Sequence, residues 1–237
     1  MATTKVSRTE PVLSPTAGGP AGQCTPAGRV TRSLLGYGVL AGPFYVGVSL
    51  VQAAVRDGFD LTRHDWSLLA NGPGGWVQSA NLLLTGLMVV AAAVGFRRAL
   101  RGGVGQTWVP RLLALYGLGL SGAGIFRADP MAGFPSGTPE GLPLEVTAHG
   151  MLHLAFAGVG FLALAAATFA MARRYRSEGR RGRTVFSVAT GAGFLGAFAA
   201  ISSGSSSPAV VLSFTAAVLL VFGWLSGTSI DLYRHVR

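Results

Sequence analysis

Six apolar segments, Leu34–Val55, Gly75–Phe96, Val109–Phe126, Val146–Ala172, Val185–Ser203 and Ala209–Ile230, occupy most of this 237-residue chain. Each is close to the ~20 residues a helix needs to cross ~30 Å of hydrocarbon. Lipid offers no partner to backbone N–H and C=O groups, so segments of this length satisfy their own as helices. The reading is an all-α polytopic membrane protein, a bundle of six transmembrane helices over residues 34–230. A Pro/Gly/Thr-rich N-terminal tail, residues 1–33, has too few large apolar groups to fold and is expected to be disordered; residues 231–237 form a short C-terminal tail. No room remains for a separate soluble domain. The charged fraction of 12% is about half that of a soluble domain and agrees.

The net charge of +10 invites a nucleic-acid reading, but its distribution argues against that partner. Sixteen of the 19 Lys and Arg residues lie in the two tails and around the loops after the second and fourth segments, against Arg56, Arg63 and Arg127 on the other side. Such a bias places both termini in the cytoplasm. It also gives the inner loops an attraction for anionic lipid headgroups. Arg outnumbers Lys eighteen to one amid abundant Ala and Gly, as codon bias in a GC-rich bacterial genome produces, so the expected location is a bacterial cytoplasmic membrane. The lone Cys24 excludes an internal disulfide and any multi-cysteine metal site. No apolar run precedes it, so it is not read as a lipoprotein anchor, and the first span is expected to act as an uncleaved signal-anchor. No oligomeric state follows from the sequence.

Within the segments, Gly38/Gly42 and Gly196/Ala200/Gly204 have the four-residue spacing that lets helix backbones approach closely. Pro43 is expected to bend the first helix and to free the carbonyl of Val39. Polar residues are unevenly placed. Tyr45, Ser49, Gln52 and Arg56 keep one face of the first helix, and Gln78, Asn81 and Thr85 one face of the second. Trp76 suits an interfacial anchor, which sets Asn81 about two turns below the outer surface. The fifth and sixth segments offer mainly Ser and Thr, whose hydroxyls bond back to their own helix. Interhelical hydrogen bonds alone would justify Gln52, Gln78 and Asn81; a ligand pocket is the competing reading.

Ionisable groups at the mouth of a span are costly and point to function. Glu145, His149 and His153 recur every four residues and would share one helix face. Two histidines at i and i+4 can chelate one metal ion such as zinc. Asp129 or Glu145, or His64 or Asp65 from the first outer loop, would complete the shell, and an open position would activate water. Glu145 could equally be a first-turn acid favoured by the helix dipole. Arg127 with Asp129 suits an ion pair fixing the loop, or a grip on a phosphate or carboxylate. The loop from Arg127 to Glu145, dense in Pro and Gly, is expected to lie non-helically over the bundle. Haem is disfavoured because His149 and His153 share a face, and no phosphate-loop or nucleophile-elbow motif is present.

The portion from about Arg32 to Tyr233 resembles a bacterial six-span membrane family catalogued as a domain of unknown function, number 998. The resemblance rests on Gly72-Pro73-Gly74-Gly75-Trp76-Val77-Gln78 with Asn81 and Gly86. It rests further on Phe126-Arg127-Ala128-Asp129-Pro130, Gly133-Phe134-Pro135, Gly137-Thr138-Pro139 and His149-Gly150-x-x-His153. It implies a fold and a topology without an activity. A weaker likeness, in the His-x-x-x-His element with a nearby acid, is to ceramidase and adiponectin-receptor membrane hydrolases, which hold zinc between helices. Those have seven core spans with the paired histidines in the last, and their Ser-x-x-x-His element has no counterpart here.

Three classes therefore compete for one outward-facing pocket of Gln52, Gln78, Asn81, Arg127, His64 and Asp65 beside the histidines. A metal-dependent hydrolase of a membrane-accessible substrate would use His149 and His153 as ligands, with Asp129 or Glu145 as third ligand or base. A small-solute or proton-linked transporter or receptor would bind its solute through the same groups. A structural or partner-binding protein would use them for packing alone.

Overall fold

The computed structural model describes residues 25–143, 145–205 and 207–236. Its elements are α1 (Pro26–Val55), a short 3-10 helix (Trp66–Ala70), α2 (Trp76–Ala99), α3 (Trp108–Ile125), α4 (Ala148–Ser177), α5 (Arg181–Ile201) and α6 (Pro208–His235). Each helix packs on the next, and α6 returns to α1, closing a six-membered ring. Among the described residues there is no strand, only an isolated bridge between Met131 and Phe134.

Two helix starts show why they fall where they do. Thr25 accepts a hydrogen bond from Gly28 N–H at 3.1 Å with Pro26 next in line, and Ser207 caps Val210 with Pro208 next in line. Proline costs nothing at the first helical position, and the hydroxyl satisfies an orphan donor. This cap carries α1 back to Pro26, so the expected disordered tail gives up residues 26–33 to the helix. Residues 1–24, Cys24 among them, lie outside the described residues.

Five helices, α1, α2, α4, α5 and α6, are long and apolar enough to cross a membrane. The third segment differs. At 18 residues, α3 is about 27 Å long, and Pro110, Arg111 and four glycines dilute its hydropathy. It is wedged between α2 and α4. At Gly86 an added Cβ would strike Ser121 Oγ and the Gly117 carbonyl of α3. The surface is inside-out relative to a soluble protein. Leu40, Val51, Leu118, Leu154, Leu162 and Val185 are exposed, while Ser49, Gln52, Gln78, Asn81 and Thr85 are buried.

Contacts sort the helix ends into two faces. Arg98 bonds to Thr31, Arg174 to the Gly102 carbonyl, Arg180 to Asp231, and Arg32 to the Val236 carbonyl. The start of α1 and the ends of α2, α4 and α6 thus share one basic face with the starts of α3 and α5. The opposite face carries the Trp66–Ala70 segment and the loop from Arg127, which form a roof.

Pro43 acts as its position implies. The Val39 carbonyl, without its intrahelical donor, accepts from Ser226 Oγ of α6 at 3.0 Å. Gly38 and Gly42 face Ser229 and Phe222 of α6. The second small-residue set does not pack this way: a Cβ at Gly196 would meet nothing within 4 Å, and Gly204 lies beyond α5 beside Leu142. Ser226→Ala is expected to cost about 1 kcal/mol. In a Pro43→Ala background the Val39 carbonyl regains a donor, so the same change should cost almost nothing. Equal losses in both backgrounds, measured by chemical unfolding in detergent, would show that Ser226 stabilises by another route.

Candidate functional site

The polar faces of α1 and α2 meet. Gln78 Oε1 accepts from Gln52 Nε2 at 2.7 Å and from Asn81 Nδ2 at 3.1 Å, and Ser49 exchanges hydrogen bonds with Gln78. Asn81 also donates to the Tyr45 carbonyl at 3.1 Å and to Ser49 Oγ at 3.2 Å, and Thr85 donates to Asn81 Oδ1 at 3.4 Å. Steps of three and four residues on each helix bring these groups into one buried, uncharged layer. Tyr45 joins it to the roof, its ring 5.7 Å from Trp66.

The roof is built from groups that fasten loops. Arg56, one turn beyond Gln52, donates to the Leu69 carbonyl at 3.1 Å and the Asn71 carbonyl at 2.5 Å, and lies over the Phe134 ring. Sequence spacing put Arg56 on the polar face of α1; that it would turn to carbonyls of the next loop was not legible. His64 accepts from the Asp60 N–H at 2.9 Å through Nδ1, so its Nε2 carries the proton and donates to the Ala132 carbonyl at 2.9 Å. Phe59 and Phe134 pack on its ring. Arg63 pairs with Glu140 of the loop that begins at Arg127. Asp65 caps the 3-10 helix through Ser67 N–H at 3.0 Å. The exposed Asp60 carboxyl is held below its usual range by the Thr62 backbone N–H first and the Thr62 hydroxyl second. The loop from Arg127 is non-helical throughout its described residues, and its own Ala132 and Phe134 are buried.

The acid and histidine set separates. Helix α4 starts at Ala148, so Glu145 precedes it, is exposed, and is neither a first-turn acid nor on the histidine face. The helix N-terminus is served by Thr147, which accepts from Gly150 N–H at 3.0 Å. Asp129 in turn accepts from the Thr147 N–H at 3.0 Å and hydroxyl at 2.6 Å. Asp129 lies so close over Gly150 that any Cβ there would strike its carboxylate, which accounts for glycine in the His-Gly pair. Arg127 is exposed and makes no salt bridge among the described residues.

His153 is buried, with Nδ1 at 3.0 Å from the Ala123 carbonyl and 2.9 Å from the Phe126 carbonyl. Its Nδ1 therefore carries the proton, and the ring caps the end of α3. His149, one turn earlier, is exposed and packs edge-on to Phe126. A metal site needs more than one such ring. Among the described residues no three His, Cys, Asp or Glu side chains gather to hold an ion. Of the donors that sequence spacing nominated, His64, Asp65, Asp129 and His153 bond to nearby loop or helix-end groups, while His149 and Glu145 are exposed.

The family model described as "Protein of unknown function (DUF998)" matches residues 39–231, from α1 to near the end of α6. No curated protein and no solved structure matches the chain.

Proposed function

We propose that this chain, which belongs to the DUF998 family of proteins of unknown function, is a multi-pass membrane protein that binds a small uncharged polar solute beneath its roof. One observation carries the reading. Gln52 Oε1, Trp66 Nε1 and Asn71 Nδ2 are buried and have no hydrogen-bond partner among the described residues. All three belong to the roofed end, where Gln52 joins the polar layer, Trp66 packs on Tyr45 and Asn71 is tied to Arg56. A buried polar atom left unpaired costs about 1–3 kcal/mol, so two donors and one acceptor here call for a complementary partner. That partner is neutral in this reading, because the three unpaired atoms are themselves uncharged, an amide oxygen, an indole N–H and an amide N–H.

The test is thermal unfolding in detergent against glycerol, acetamide, uracil and glucose. A saturable rise in melting temperature with one of them, abolished by Gln52→Leu, supports solute binding. No response to any, with Gln52→Leu more stable than wild type, assigns the layer to packing alone. Metal analysis of protein purified without chelator or histidine tag is expected to give far less than one ion per chain. Stoichiometric zinc, lost in His149→Ala/His153→Ala, would restore the hydrolase reading.

All six helices, α3 included, cross the membrane in this proposal, with both termini in the cytoplasm of a bacterium. Support comes from the sixteen-to-three bias of Lys and Arg toward the two tails and the loops after the second and fourth segments. In a Cys24→Ser background, Ser136→Cys should react with an impermeant maleimide on intact cells, and Ser177→Cys only after permeabilisation. The reverse pattern would invert the topology.

A further inference from the structure

Where α2 ends and α3 begins, the basic face opens into a cleft of about 490 Å³. Val90 and Val94 of α2 and Ala114 of α3 form its apolar wall, and Arg97, Arg101 and Arg111 line its rim. All three guanidinium groups belong to exposed residues, and no salt bridge to any of them occurs among the described residues. The two carboxylates described on this face are held elsewhere: Glu178 by Arg174 and Arg180, and Asp231 by Arg180 and Arg183. Arg101 donates to the Arg98 carbonyl at 3.1 Å, and Arg111 lies over the Trp108 ring at 5.9 Å. Neither contact neutralises a charge.

The cleft continues toward the membrane centre as an apolar track. Arg101 lies just beyond the end of α2; within the helix Leu87, Val90, Val94 and Arg97 follow one another at steps of three and four and keep one face. Arg111, Leu115 and Leu118 do the same on α3. Leu87, Val94, Leu115 and Leu118 are all exposed. Trp108, also exposed, begins α3 at the level where an indole seeks the headgroup zone. Three uncompensated cations at headgroup depth, with an apolar track leading inward, match one kind of molecule. We propose that this cleft is a binding site for an acidic glycerophospholipid, its phosphate held by Arg97, Arg101 and Arg111 and its acyl chains laid along α2 and α3. The inference goes beyond the general pull of basic loops on anionic membranes, because it assigns the lipid to three arginines and excludes others.

Native mass spectrometry of the detergent-purified protein, titrated with phosphatidylglycerol or phosphatidylcholine, tests it. Wild type should retain phosphatidylglycerol preferentially. Arg97→Ala/Arg101→Ala/Arg111→Ala should weaken retention about 100-fold, taking a factor of about five for each charge near an anionic lipid. A control with the same charge loss, Arg173→Ala/Arg176→Ala/Arg181→Ala, should retain it. Val94→Trp keeps every charge but fills the wall, and should weaken retention without altering net charge, which protects the test should the triple variant fold poorly. Equal loss in both triple variants would reduce the effect to diffuse attraction and overturn the site. Competition by sn-glycerol 3-phosphate at the lipid's own concentration would also overturn it, in favour of a soluble phosphate.

Discussion

Gln78→Leu should destabilise the bundle by about 3 kcal/mol. Gln78 Oε1 is the shared acceptor of the polar layer, taking donors from Gln52 and Asn81 while exchanging bonds with Ser49. Interhelical hydrogen bonds inside membranes contribute about 0.6–1.7 kcal/mol each. Deleting one shared acceptor also strands donors that have no water to turn to. Removing both sides of a bond is milder than removing one, so Gln52→Leu/Gln78→Leu should be more stable than Gln78→Leu alone. Unfolding in mixed micelles, followed by helical circular dichroism, reads both. If the double variant is the less stable of the two, the layer holds α1 to α2 by its shape and not by its hydrogen bonds.

An effect of similar size, about 3 kcal/mol, is expected from Gly86→Val by overpacking, but with a different signature. A Cβ at position 86 would strike Ser121 Oγ and the Gly117 carbonyl, and a Cβ at Gly117 would in turn come to 2.6 Å from the Gly86 carbonyl. Backbone on one side of the contact cannot swing away as a long side chain can, so α2 and α3 must separate. Ser121→Gly should therefore recover only part of the loss, since the Gly117 carbonyl remains. Full recovery in Gly86→Val/Ser121→Gly would mean the clash is with a side chain alone. Because the proposed lipid cleft lies between the same two helices, Gly86→Val should also alter lipid retention, whereas Gln78→Leu should leave it unchanged.

The helices were legible because each apolar run must satisfy its own backbone in lipid, so length and hydropathy suffice to find them. Their ends were less so. Helix α6 runs through Tyr233 and Arg234 to His235, and α4 continues through Arg173 and Arg174 to Ser177. Apolar content stops there, but helical hydrogen bonding does not. That Gln52 keeps the polar face of α1, and Gln78 and Asn81 that of α2, was legible because residues three and four apart fix a face; that the two faces meet was not. Nor were the roles of His153 and Asp129. Spacing shows which side chains share a helix face and is silent on which neighbouring element that face meets. His153 met the carbonyl end of α3, and Asp129 met Thr147 at the start of α4. Both orphan-group problems belong to other helices, and a search along one helix at a time does not see them.

The return of α6 to α1 bears on how the chain could be rewired. Arg32 Nη2 reaches the Val236 carbonyl at 2.8 Å, and Ser226 grips Val39 farther along the same seam. The first and last helices are joined as firmly as neighbours in sequence, although no peptide links them. A closed ring of this kind has no obligatory first member. A short linker from Val236 to Thr25, with new ends opened at the Gly179 turn between α4 and α5, would preserve every helix pairing and change only the order of synthesis. Such a permuted chain would separate what the bundle needs for its architecture from what it needs for its insertion, since a different helix would then lead the way into the bilayer.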